Sequence, residues 1–349
     1  VEGSRIRALG AAGADLVKLV LSGGSSMRKL LRVVAVVVMV LVVGVAGLLM
    51  WVRFGLPDVG PAPEISVDRS PERVARGAYL ANHVMVCTAC HAERDWSTFA
   101  APPLPGTAGR GGEVHDQRLG FPGSYVSTNL TPFGLGDWSD GEVLRAVTSG
   151  VSKDGRALFP IMPHPAYGQL DREDVEAVIA YLRTLEPIEY TPPASSSDFP
   201  MNFIINLIPK PAAFRERPVE SDRAAYGEYL VRAAVCEECH TEMDKGKAVG
   251  APFAGGMVFP LADGSVVRSP NLTPHLTGLG SWTEEAFVAR FRAAAGPPQP
   301  VSPGGFQTVM PWRAYAGMTD ADLGAIYTYL RNLPPTERVV ERFTPAAAR

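Results

Sequence analysis

Four cysteines occur in the chain, as two pairs, Cys87/Cys90 and Cys236/Cys239, each followed at once by a histidine, His91 and His240. The pentapeptide C-x-x-C-H, present twice with no cysteine elsewhere, points to one chemistry. Two thiols three positions apart on a turn of helix can each add to a vinyl group on one edge of a haem. The histidine that follows then reaches the iron from one side. The alternatives fit less well. Zinc ribbons place their second cysteine pair within about 15–20 residues, whereas these pairs lie well over a hundred residues apart. A thioredoxin-like dithiol sits near a βαβ pattern, and none is apparent. The reading is two covalently bound haem c, attached through Cys87, Cys90, Cys236 and Cys239.

A second axial ligand is sought among residues that recur. Met162 lies 71 residues after His91 and Met310 lies 70 residues after His240, both in Met-Pro and both just before an expected closing helix. Met85, Met243, Met257 and Met318 have no counterpart in the other half, and neither do His83, His115, His164 and His275. A repeated site uses repeated ligands, so the expected iron ligands are His91 with Met162 and His240 with Met310. A soft thioether favours ferrous iron and raises the reduction potential. An iron with six ligands has no place for substrate, so no catalytic residue is expected.

The elements that must position these residues also come in duplicate. Gly77-Ala-Tyr-Leu80 before the first motif returns as Gly227-Glu-Tyr-Leu230, one residue closer to the second. Asn129-Leu-Thr-Pro132 and Trp138 return as Asn271-Leu-Thr-Pro274 and Trp282, and Tyr167 after Met162-Pro163 returns as Tyr315 after Met310-Pro311. The expected domains are 70–186 and 221–334, a tandem duplication whose period is too long for a solenoid. Residues 187–220 read as a Pro-rich linker whose apolar run Met201–Ile208 should lie against the domains, and 335–349 as a C-terminal tail. Ser70-Pro71, the capping box Ser139-x-x-Glu142, Asp171 and Thr319 signal helix starts. Val175, Val178, Ile179, Leu182 and Leu185 fall at helical spacing, as do Leu323, Ile326, Leu330 and Leu333. No convincing run of strands is visible, and Asp263-Gly264 reads as a turn. The fold class is all-α, with loop-rich middles between helices.

Composition adds an address. The formal net charge is −3, with 35 Gly and 31 Pro among 349 residues, which suits turn-rich loops and gives no basic stripe for nucleic acid. Residues 33–52 are all apolar or Gly, which at about 1.5 Å per residue spans roughly the 30 Å of a bilayer core. Arg28, Lys29 and Arg32 precede this run and Arg53 alone follows it. The bias places 1–32 in the cytoplasm, 33–53 as a single transmembrane anchor, and the rest in the periplasm on the outer side of the inner membrane. A cleaved signal peptide is the competing reading. Met27-Arg-Lys also resembles an ordinary start, so the stretch before it reads as a cytoplasmic tail or a misassigned start.

Taken together, C-x-x-C-H, the Asn-Leu-Thr-Pro stretches ending at Trp138 and Trp282, and the Met-Pro to Tyr-Leu-Arg endings resemble class I c-type cytochromes. The closer resemblance, over about residues 70–334, is to multi-haem cytochrome c subunits of membrane-bound periplasmic dehydrogenases for alcohols and gluconate. That resemblance implies helical domains wrapped around each haem, histidine on one face and methionine on the other. It implies single-electron transfer from a dehydrogenase or quinol-oxidising complex to a terminal oxidase or soluble cytochrome in a respiratory chain. Those subunits often carry three haem domains, whereas this chain shows two motifs. The alternative function is a dihaem peroxidase reducing hydrogen peroxide, which needs one iron with a releasable ligand and therefore unlike halves. Trp138 and Trp282 are expected either to line the haem pockets or simply to pack.

Overall fold

Helices α1 (Glu2–Phe54), α2 (Pro71–Tyr79), α3 (Cys87–Cys90), α4 (Pro132–Leu135), α5 (Asp140–Ser149), α6 (His164–Tyr167) and α7 (Arg172–Leu182) occupy the first half of the chain. After the short α8 (Met201–Ile204) come α9 (Arg223–Ala233), α10 (Cys236–His240), α11 (Glu284–Arg292), α12 (Trp312–Tyr315) and α13 (Asp320–Arg331). This computed structural model describes residues 2–346. They form two units, one ending at Leu56 and one running from Pro57.

In the first unit, α1 is longer than the apolar run within it, because Ala- and Leu-containing sequence upstream of residue 33 is also helix-compatible. Its Ser26–Phe54 portion is long and apolar enough to cross a membrane, and side chains 33–51 are exposed.

In the second unit, two helix pairs carry most of the packing, α2 on α7 and α9 on α13. Each pair meets at a glycine. A Cβ on Gly77 would lie 1.8 Å from the Ala177 carbonyl oxygen, and one on Gly227 would lie 2.0 Å from that of Ala325. Leu80, Val175, Val178, Ile179 and Leu182 are buried in the first pair, and Leu230, Leu323, Ile326 and Leu330 in the second. All join one contiguous apolar core.

The two leading helices differ in one respect. After α2 the chain makes a π-type turn over Leu80–Val84, with the Met85 amide donating to the Leu80 carbonyl, whereas α9 runs unbroken to Ala233. A π-bulge absorbs one inserted residue within a helix. This accounts for the extra residue between Leu80 and Cys87 relative to Leu230 and Cys236.

The loops are not wholly irregular, as an all-helical reading would have them. β1 (Val114–His115), β2 (Gly123–Val126) and β3 (Ser196–Ser197) form one antiparallel ladder, with Val114 opposite Val126 and Gly123 opposite Ser197. β4 (Met243–Asp244) pairs with β5 (Lys247–Ala248). β6 (Val258–Pro260) and β7 (Val266–Arg268) form a hairpin joined through Asp263-Gly264, and β8 (Phe343–Thr344) adds to its edge. Strands of two to four residues are too short to show an alternating pattern. The segment after α7 lies along the first half. The Ala213 and Arg215 amides donate to the Gly168 and Leu170 carbonyls, at 2.7 and 3.2 Å.

Candidate functional site

Both cysteine motifs start from a strained residue. Val86 and Val235, immediately before Cys87 and Cys236, have φ of 58° and 49°, a left-handed conformation that β-branched side chains rarely adopt. Such strain persists where the surroundings enforce it. Here a buried tyrosine holds the preceding carbonyl in each half. Tyr167 donates to the Met85 carbonyl at 3.0 Å, and Tyr315 to that of Ala234 at 2.8 Å. Both phenols are held well above the usual tyrosine range, first by burial and then by the nearby thiols, Cys87 and Cys90 for Tyr167 and Cys236 and Cys239 for Tyr315.

The thiols line open space rather than a sealed core. Cys90 and Cys239 are exposed, and Cys87 and Cys236 are half-buried. Enough protein surrounds them that burial, ahead of neighbouring negative charge, pushes the Cys87 and Cys239 thiols up to about 12. They are accessible on one side and walled on the others.

Each histidine is aimed by a backbone carbonyl. His91 Nδ1 donates to the Thr128 carbonyl at 2.7 Å, and His240 Nδ1 to that of Pro270 at 3.0 Å. A carbonyl can only accept, so the proton sits on Nδ1 and the lone pair on Nε2, the arrangement of a metal-ligating imidazole. Burial pulls both rings below the usual histidine range, which outweighs the opposing pull of the carbonyls and keeps them neutral.

Those carbonyls are fixed in turn by the Asn-Leu-Thr-Pro stretches. The Asn129 side-chain oxygen accepts from the Thr131 amide and hydroxyl, and its Nδ2 donates to the Ile188 and Tyr190 carbonyls. Asn271 repeats this with Thr273 and the Thr336 carbonyl. The segment that leaves each closing helix is thereby tied beside its histidine. The repetition of these motifs is visible in the sequence, but their role as a brace for the ring is not, because the atom that touches the ring is a main-chain oxygen.

Met162 and Met310 are half-buried against the same apolar core that Cys87, Cys236, Trp138 and Trp282 contact. Each methionine carbonyl accepts from the amide two residues on, His164 and Trp312, at 2.7 and 2.8 Å, which turns the Met-Pro step into α6 and α12. Both tryptophans pack against that core. Accessible paired thiols, a neutral imidazole with a free Nε2 and a thioether near each helix α6 or α12 are a donor set that fits haem c.

The two halves meet reciprocally. Tyr79, on α2, donates to the Asp322 carboxylate, and the Thr319 amide donates to its oxygen at 3.1 Å. Tyr229, on α9, donates to Asp174 at 2.6 Å, and the Asp171 amide lies 3.4 Å from its oxygen. Helix α12 packs on the π-type turn of the first half and α6 packs on α9 of the second.

Residues 224–334 match the Cytochrome c family. The chain is 30% identical over 295 residues to the alcohol dehydrogenase (quinone) cytochrome c subunit of Gluconacetobacter polyoxogenes, covering 79% of this chain and 59% of that one. It is 31% identical over 283 residues to the fructose dehydrogenase cytochrome subunit of Gluconobacter japonicus, covering 75% and 52%. A diheme cytochrome c-type protein of Cereibacter sphaeroides is 28% identical over 262 residues, covering 72% and 83%. The chain thus spans between 52% and 59% of the first two relatives, which are named as cytochrome subunits of their dehydrogenases. A cytochrome c domain implies covalently bound haem c. Residues 224–334 form a domain of the cytochrome c family, within a chain similar throughout most of its length to the cytochrome c subunits of dehydrogenases.

Proposed function

We propose that the chain carries two haems c, one per half, and passes single electrons between a periplasmic dehydrogenase and a downstream acceptor. Cys87, Cys90, His91 and Met162 would hold one haem in a domain over 70–186, and Cys236, Cys239, His240 and Met310 the other in a domain over 221–334. The observation that carries the reading is the duplicated histidine geometry, each ring fixed through Nδ1 by a carbonyl beside an accessible thiol pair. Haem c supplies a one-electron ferric/ferrous couple, and methionine ligation raises its potential. The chain's own residues aim the imidazole, hold the strained turn before each cysteine pair and join the two halves.

The relatives' names support a dehydrogenase as electron donor, and the apolar stretch of α1 supports attachment to a membrane with the cysteine motifs on its outer side. The matched Met-Pro steps at Met162 and Met310, each turned by the same carbonyl-to-amide bond, favour a carrier over a peroxidase, because a peroxidase needs one iron with a releasable ligand.

The test is a haem count and spectrum of the purified protein, with a Cys87→Ala/Cys90→Ala variant beside it. Two low-spin haems c per chain, falling to one in the variant, with a methionine–iron charge-transfer band in both proteins, would bear the proposal out. One haem in the unaltered protein, or a high-spin iron that turns over peroxide, would refute it.

A further inference from the structure

The loop before Met310 does not close on its own half. Residues 297–308 reach across to residues 96–101, which follow the first haem motif. The Phe99 amide donates to the Gln299 carbonyl and the Val301 amide to that of Ser97, both at 2.8 Å, and Thr98 bridges Pro300 in antiparallel fashion. At the centre sits Gln307, 5% exposed. Its Oε1 accepts from the Ala100 and Thr308 amides, each at 2.9 Å, and its Nε2 donates to the Trp96 and Thr98 carbonyls at 3.0 and 2.8 Å. All four hydrogen-bonding positions of the amide are used, so one orientation is specified. The receiving loop is specially shaped, with Ala100 and Ala101 buried at φ of 63° and 39°. From Gln307 the bonding continues to Thr308, whose hydroxyl accepts from the Met310 amide at 3.1 Å.

We infer that Gln307 is a positioning residue for Met310. Through it the first half holds the second half's methionine in place, so the thioether–iron bond of the second haem depends on residues 96–100. The inference rests on Met310 being an axial ligand, as proposed above. Releasing the loop lets the sulfur leave the iron more often and lets an external ligand take its position. The first haem keeps its own methionine, because the loop before Met162 closes within its own half through the Val151–Ala157 bridge.

The experiment is cyanide binding to the oxidised, haem-loaded protein, followed with the methionine–iron charge-transfer band, for the unaltered chain, Gln307→Ala and Thr308→Val. The expected result is cyanide binding about tenfold faster at one of the two irons of Gln307→Ala, the order expected when buried partners lose their hydrogen bonds. The band should fall toward half amplitude while the haem count stays the same. Thr308→Val breaks only the link to Met310 and leaves the Gln307 contacts intact. It should show the same change in smaller measure, and it decides the matter should Gln307→Ala fail to load both haems. Unchanged cyanide kinetics and band in Thr308→Val and in a fully loaded Gln307→Ala would overturn the inference while leaving the ligand assignment standing. An unaltered protein with methionine ligation at only one iron, that iron being unaffected by either substitution, would remove the ligand assignment and this inference with it.

Discussion

Phe159 and Gln307 stand at corresponding places, three residues before Met162 and Met310. They are used in opposite ways. Phe159 stacks on Tyr125 with ring centroids 4.1 Å apart and stays in its own half, where its carbonyl accepts from the Met162 amide. Gln307 crosses into the other half and is satisfied there. One methionine loop is therefore anchored by local apolar packing, and the other by polar contacts to its neighbour. The Met-Pro steps recur in the sequence while the supports around them diverge. The second loop shares its hydrogen bonds with the first half, and that ties the two halves together.

The two acidic clasps test how far this divergence extends, and they carry the largest expected difference. Asp174 accepts from Arg76, Arg217 and Tyr229, whereas Asp322 accepts from Tyr79. Burial raises the Asp174 carboxyl, but the hydrogen bonds and charge of Arg76, with Tyr229 and Arg217, outweigh it and leave it below the usual carboxylate range. Asp174→Asn strips two guanidinium groups of their partner and should cost roughly 3 kcal/mol in denaturant unfolding, the low end for a buried pair because both arginines keep some water contact. Asp322→Asn should cost about 1.5 kcal/mol, one hydrogen bond to a charged acceptor. Equal losses would show the clasps to be energetically alike despite their different partners. The pH dependence follows from the sign. A carboxyl whose folded value is depressed contributes stability above its unfolded value of about 3.9 and loses it as pH falls through the folded value. The unaltered protein should therefore lose this contribution below about pH 4, and Asp174→Asn should show a flatter profile there.

The glycine contacts are the counter-case, where the halves should behave alike. A Cβ at Gly77 or Gly227 runs into a backbone carbonyl that cannot rotate away, so α2 must part from α7, or α9 from α13, by more than 1 Å. Gly77→Ala and Gly227→Ala should each cost about 2–3 kcal/mol in the same assay, as overpacking does. A loss confined to one of them would mean that its helix pair has room that the static packing hides.

These comparisons also show what was legible in advance. The two C-x-x-C-H motifs stood out because haem chemistry fixes both residue type and spacing, and their recurrence supplied an internal control. Helix starts at Ser139, Asp171 and Thr319 were readable because a capping side chain is local, and each accepts an amide hydrogen bond as expected. Tyr167 and Tyr315 were visible only as repeat markers, since nothing in a tyrosine announces that its hydroxyl restrains a strained valine about eighty residues earlier in the chain. Gln307 was invisible. Its importance comes from an exception to the repeat, and a method that credits only what recurs will pass over it. The short β-ladders were missed for a different reason, because their strands are too short for periodicity and two of them, β3 and β8, pair with distant segments.

The smallest expected effect concerns the caps, where both halves use the same device in different degrees. Ser139 and Glu142 form a full capping box on α5, each side chain taking up the other residue's amide at 3.1 and 2.8 Å. Thr283 caps α11 by accepting from the Ala286 amide at 3.2 Å, and alanine at that third position returns nothing. Ser139→Ala leaves the Glu142 amide without its acceptor and loosens the reciprocal Glu142 contact, and should cost about 1 kcal/mol, while Thr283→Ala breaks a single bond and should cost about half of that. Both sites are at the surface, so water replaces part of what is lost. Thermal unfolding of the haem-loaded protein should therefore rank the two variants in that order, each displaced by only a few degrees. The reverse ranking would mean that the reciprocal glutamate contributes little and that α11 relies more on its cap.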